Sequence, residues 1–184
     1  MWAFDATPLI YLAKAERLEL LSHLDGPRVI PERVYDEVVD AGIEEGFPDA
    51  RRIEQGVDDV FEVVGVSESP LFERLRENDN LSDADVSVLA CADSHDGVAV
   101  MDETYCRGVA VTEEVEMRGT AFLVLSFVRD GVIEAEEGRE IVDAMLDSGW
   151  YCARIRTRRW CGNWIRCNYG LIGPFWSSAC GIYP

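Results

Sequence analysis

Two short apolar runs, Trp2-Ala3-Phe4 and Val98-Ala99-Val100-Met101, each stop abruptly at a carboxylate: Asp5 in the first case, Asp102-Glu103 in the second. A run with no polar alternation has to be buried on both faces, as a central strand of a parallel sheet is between layers of helices. After Asp5 the spacing turns helical through Leu9, Ile10, Leu12, Ala13 and Leu20, which predicts a helix reaching Leu24. Thr7 suits its cap, and Pro8 its first turn, where a backbone N–H is dispensable. Asp5 taken alone is equally consistent with a turn residue. Parallel strands, however, end at the same edge of their sheet, where open α/β sheets form binding crevices, so the repeat of the arrangement at Asp102 directs both acids to one place.

The remaining segments read as alternating strands and helices. Asp25-Gly26-Pro27 is a turn before a strand over Arg28-Val29-Ile30. Pro31 then starts a helix expected to run to Ala41 and to close at Gly42, with an apolar stripe of Ile30, Val34, Val38 and Ala41. Glu37 falls at the edge of that stripe, either as a snorkelling side chain or as a functional one. A short helix led by Pro48 carries Arg51-Arg52, an ordinary surface pair or a phosphate contact. Val60 to Val64 holds a strand, and Leu71 to Asn78 a helix. Ser82-Asp83-Ala84-Asp85 fits a capping box, which by itself explains Asp85, and the helix it opens ends near His95, a C-terminal dipole partner. A strand over Val109-Ala110-Val111 is expected after a turn at Arg107-Gly108. An almost wholly apolar, buried helix follows at Ala121 to Arg129, and an amphipathic one at Glu136 to Ser148. The pattern is that of an α/β sandwich around a parallel sheet.

Carboxylates converging on one sheet edge repel one another unless a cation compensates them, and hard oxygen donors select Mg²⁺ or Mn²⁺. Such ions suit phosphodiester cleavage, where they activate water and offset developing charge. The surface argues the other way at first: 35 acidic against 17 basic residues give a net charge of -18, and Lys14 is the one lysine. That charge repels nucleic acid in dilute buffer. In molar salt the Debye length falls to about 3 Å and the repulsion is screened, so the acid-rich, lysine-poor composition is read as that of a salt-loving source. With 184 residues, no apolar run long enough to span a bilayer and no signal-peptide pattern at the start, a single cytoplasmic domain is expected.

The motifs then acquire a likeness. Asp5-Ala6-Thr7-Pro8-Leu9-Ile10-Tyr11-Leu12 resembles the opening Asp-x-Ser/Thr-x-Leu-Ile motif of PIN-domain ribonucleases, and Pro31 to Val39 resembles the segment holding their second acid, here Glu37. Leu81-Ser82-Asp83-Ala84-Asp85 resembles the third-acid helix, with Ala84-Asp85 where the family often has Gly-Glu. Met101-Asp102-Glu103 resembles the fourth-acid strand end, Arg107 falls where a basic residue is frequent, and Gly119-Thr120 resembles the pair that closes the family's core. The resemblance implies a PIN-like three-layer sandwich and a Mg²⁺- or Mn²⁺-dependent endoribonuclease, like the toxin half of VapC-type toxin–antitoxin pairs or a free-standing relative. Asp5, Glu37, Asp85 and Asp102 would carry the metal, with Thr7 and Glu103 assisting. RNA, a cognate antitoxin protein and a second copy of the chain are the implied partners. Two other readings stand beside it. One is a catalytically degenerate PIN-like domain that binds a partner protein. The other is a haloacid-dehalogenase-like phosphatase with Asp5 as nucleophile, which wants an Asp where Thr7 stands and has only Lys14 to offer its phosphate.

The resemblance covers Met1 to about Tyr151, and residues 1–151 are read as the nuclease domain. All 35 acids precede Tyr151, so residues 1–150, with 12 basic residues, carry a net charge of -23. Residues 152–184 instead bring Arg154, Arg156, Arg158, Arg159 and Arg166, three tryptophans and Cys152, Cys161, Cys167 and Cys180. No Cys-x-x-Cys pair occurs, which argues against a zinc site or a disulfide framework. This tail is either a basic, aromatic arm that stacks on RNA bases or, the preferred reading, the product of a frameshift near Ala153.

Overall fold

Both apolar runs become neighbouring strands. The computed structural model describes residues 1–151, and both readings of the 152–184 tail lie outside the described residues. Strands β1 (Trp2–Phe4), β2 (Arg28–Pro31), β3 (Glu62–Val64), β4 (Val98–Val100) and β5 (Glu116–Arg118) form one parallel sheet in the order β3-β2-β1-β4-β5. Phe4 is in register with Val100, and the Asp5 N–H donates to the Val100 carbonyl at 3.0 Å, so Asp5 and Asp102 leave the sheet side by side. The chain reverses its direction of travel across the sheet between β1 and β4, which makes this edge the topological switch point.

Helices cover both faces. Helix α6 (Asp83–Ser94) packs on β1, β2 and β4 and buries Val86, Val88, Leu89 and Ala92, with α5 (Pro70–Leu75) and α2 (Glu32–Tyr35) beside it. The second layer holds α1 (Ala6–Lys14) against α4 (Pro48–Gln55) and α9 (Ala135–Asp147), with α8 (Thr120–Arg129) against α9. Between the layers lie Phe4, Leu9, Leu12, Ile30, Leu89, Met101 and Leu123, all fully buried, each contributing about 1.5–3 kcal/mol by removal from water. The fold is therefore the expected three-layer α/β sandwich. No helix among the described residues is long and apolar enough to cross a membrane.

Several local expectations give way to physical detail. Helix α1 stops at Lys14, because Glu16 takes a left-handed conformation (φ 57°) in which the Arg17 N–H reaches the Leu12 carbonyl, and Leu18–His23 continues as a 3₁₀ turn. Thr7 does not cap α1. Asp5 holds the N-cap position, without a side-chain capping bond, and Thr7 lies in the first turn. The second helix does not end at Gly42. After α2 it widens into a π-helical turn, Asp36–Asp40, and runs on as α3 (Ala41–Glu44). The wide turn rotates the buried face, so Val39 and Gly42 point inward and Ala41 outward. Gly42 is needed for packing: a Cβ there would lie 2.8 Å from the Ala50 Cβ of α4. Val109-Ala110-Val111 is no strand but part of α7 (Thr104–Thr112), with Arg107-Gly108 inside the same helix. Helix α8 is less buried than its composition predicts, with Phe122, Leu125 and Val128 partly exposed.

Candidate active site

Asp5 is the centre of the acidic edge. The end of a buried strand carries it under the N-terminus of α1, leaving its side chain only 8% exposed. Burial pushes its pKa from 3.8 up to about 7, and the charges of Asp85, Glu37 and Asp102 push in the same direction, while the Ala6 N–H opposes them. The other three acids expected at the site thus all act on Asp5, although they come from the π turn, α6 and the end of β4.

Each of the other three is held differently. Asp85 is the third residue of α6 and completes the capping box: Ser82 Oγ accepts from the Asp85 N–H at 3.0 Å, while Asp85 Oδ2 accepts from the Ser82 N–H and Oγ–H, both at 2.8 Å. Its other oxygen, Oδ1, accepts from the thiol of Cys106 at 3.3 Å. Asp102 is gripped from the start of α8, where Thr120 donates its N–H to Oδ1 at 2.8 Å and its hydroxyl to Oδ2 at 2.7 Å. Glu37 is exposed on the π turn. Glu103 is exposed, caps α7 and accepts from the Tyr105 N–H at 3.3 Å. Thr7 is partly exposed in the first turn of α1.

Three residues that the sequence did not single out for this role, Cys106, Thr120 and Gly119, shape the site together with Ser82 of the expected capping box. Ser82 and Cys106 orient Asp85, and Thr120 orients Asp102. Gly119 makes room for that grip, since a Cβ there would lie 2.7 Å from Asp102 Oδ1. Gly119-Thr120 is thus less a core closure than a clamp on an acid, and its place at a helix start was the available signal. Cys106 is fully buried among carboxylates, and burial together with Asp85 pushes its thiol well above the ordinary range. It stands here as a neutral hydrogen-bond donor rather than a nucleophile. Arg52 is committed to Glu16 at 2.5 Å and to the Ala13 carbonyl, away from the acidic edge, and His95 bonds the Cys91 carbonyl at its own helix end.

Whether these residues suit a divalent cation turns on donor chemistry and spacing. The donors are hard carboxylate oxygens around a buried acid whose ionisation is suppressed by its neighbours, the condition that a cation relieves. The bonds to Ser82, Cys106 and Thr120 occupy some of the lone pairs of Asp85 and Asp102 and leave others available. Among the described residues, no three acidic, histidine or cysteine side chains are close enough to enclose an ion as they stand. Asp5, Asp85, Asp102 and Glu37 are the residues that would hold such an ion.

A family model described as a PIN domain matches residues 1–161. Comparison with curated proteins and with solved structures gives no match.

Proposed function

This chain belongs to the PIN-domain family, and from that premise we propose that it is a divalent-metal-dependent endoribonuclease. The observation that carries the reading is the buried carboxyl of Asp5, raised to about 7 in the company of Asp85, Glu37 and Asp102 at the switch point of the sheet. Evolution of a stable fold gives no reason to gather like charges there, whereas phosphoryl chemistry does. Family membership favours it over the phosphatase alternative.

Asp5 and Asp102 are the primary ligands in this reading, with Asp85 and Glu37 completing the set and Glu103 and Thr7 assisting. Mg²⁺ or Mn²⁺, when bound, supplies an activated water and offsets the charge that builds on the cleaved phosphate. The chain's own contribution is positional. Thr120 and Gly119 fix the plane of the Asp102 carboxylate, Ser82 and Cys106 fix that of Asp85, and the end of β1 holds Asp5 out of bulk water. Without a cation, Asp5 retains a proton over much of the range below pH 7. The finer identity proposed is a cytoplasmic toxin that works on RNA, pairs with an antitoxin protein and forms a homodimer.

A second reading is a degenerate domain that only binds a partner protein. It is favoured by the hydrogen bonds from Ser82, Cys106 and Thr120 that already hold Asp85 and Asp102. Cleavage of a mixed RNA in molar KCl with Mn²⁺, comparing the full chain, Asp5→Asn and a chain ending at Tyr151, separates the two. Metal-dependent cleavage that falls at least a thousandfold in Asp5→Asn is the expected result. Absence of cleavage by folded, Mn²⁺-saturated protein would favour the partner-binding reading, and the shortened chain reports whether the tail contributes.

A further inference from the structure

A cavity of about 390 Å³ opens between α5 and α7, beside the acidic edge. Its walls include Leu75 and Val109, the ring of Tyr105, the amide of Asn78 and the pair Arg74 and Glu113. Three features define what it can hold. The first is charge: Arg74 and Glu113 neutralise each other at 2.7 Å, so on a strongly acidic chain this wall is close to neutral. The second is an aromatic face. Tyr105 is 44% exposed, yet its hydroxyl is pinned, lying 3.1 and 3.2 Å from the two polar atoms of the Asn78 amide and within 3.5 Å of Asn80. The ring is therefore presented in one orientation, with its entropy already surrendered. The third is position: Tyr105 is three residues beyond Asp102, and its N–H is bonded to Glu103.

A neutral cavity with one fixed aromatic face, apolar walls and the remaining N–H of the Asn78 amide, whose oxygen is taken by Tyr105 and Asn80, suits a flat, uncharged heterocycle better than a phosphate or a carboxylate. We propose that this cavity is a subsite for one unpaired RNA base, stacked on Tyr105 and read at its edge by Asn78, next to the phosphate that lies at the acids. The inference rests on the ribonuclease reading of the neighbouring site. It makes the enzyme selective for single-stranded RNA, because a base held in a duplex has no free face to offer.

Binding measured apart from cleavage tests it. Fluorescence anisotropy of labelled single-stranded RNA is followed in EDTA on the full-length Asp5→Asn chain, alone and combined with Tyr105→Ala, Tyr105→Phe, Asn78→Ala or Gly108→Leu. Gly108 lines the cavity with open space where its Cβ would be, so leucine there fills the cavity without disturbing the packing. Tyr105→Ala and Gly108→Leu are expected to weaken binding about tenfold, Tyr105→Phe to remain within about threefold, and Asn78→Ala to change the ranking of homopolymers. Duplex RNA is expected to bind more weakly than the single strand. Single-strand affinity unchanged within about twofold in both Gly108→Leu and Tyr105→Ala, or absent in the parent chain, would overturn the subsite. Cleavage by the wild type with Mn²⁺ is scored separately: a cleaving enzyme with unaltered binding in the variants loses the subsite and keeps the nuclease, and the converse loses only the nuclease.

Discussion

At Asp5 two demands conflict, since the fold buries the side chain and its neighbours share its charge. An acid with a folded pKa of about 7 and an unfolded one of 3.8 binds more protons folded than unfolded between those values. Stability therefore falls as pH rises through that window, by on the order of 4 kcal/mol in total, and is lowest above pH 7. Asp5→Asn removes this dependence. Urea unfolding of the metal-free chain is expected to show wild type losing stability relative to Asp5→Asn between pH 4 and pH 7.5, with saturating Mg²⁺ narrowing the gap. Parallel pH profiles for the two proteins would refute the assignment. Of the residues at the site, Asp5 and Asp102 were legible because each ends an apolar run. The capping box made Ser82 legible as the partner of Asp85, whereas Thr120 and Cys106 were hidden as partners of acids, because a hydroxyl or a thiol has many uses and only spatial neighbours choose among them.

Elements supply the clamps, and the two glycines near the site distinguish a packing requirement from mere tolerance. Gly119→Ala places a methyl 2.7 Å from Asp102 Oδ1 and is expected to cost about 1–3 kcal/mol and most of the cleavage activity. Gly108→Ala, inside α7 with empty space at its Cβ, is expected to be neutral or to stabilise by up to about 1 kcal/mol. Thermal unfolding of the pair checks both, and equal effects would contradict this difference. Elements were readable where burial dictated their residues: β1, β2, β4 and α6 match the expectation closely. The β5 margin of the sheet was unreadable, although the opposite edge strand, β3, lies within the expected Val60 to Val64. β5 is an edge strand in which only Met117 is buried between Glu116 and Arg118, so it leaves no apolar run to detect. Val109-Ala110-Val111 looked like a strand, yet the cap at Glu103 and the burial of Cys106 and Ala110 outweigh the preference of valine for extended backbone. The π turn likewise leaves no mark in the periodicity other than the misplacement of Ala41.

For the whole molecule, charge is the dominant physical fact. With 12 basic against 35 acidic residues in 1–150, the folded domain repels itself, and screening relieves it. We propose adaptation to high salt. Raising KCl from 0.1 to 2 M is expected to stabilise the fold by about 2 kcal/mol, or roughly 4–8 °C in Tm. A Tm independent of salt by differential scanning calorimetry would remove the basis for that reading. The α/β sandwich around a parallel sheet was legible from strand and helix alternation alone, and its three layers from the family resemblance, whereas the 152–184 segment breaks every period the sequence offers. The wide spacing of the acids along the chain carries a consequence for biosynthesis. β1 pairs with β4, which lies almost a hundred residues downstream, and Asp102 takes two hydrogen bonds from Thr120, further along still. A nascent chain that has not yet cleared the ribosome as far as Thr120 cannot assemble the acidic edge, so on the proposed ribonuclease reading the message being translated is spared until that residue has emerged.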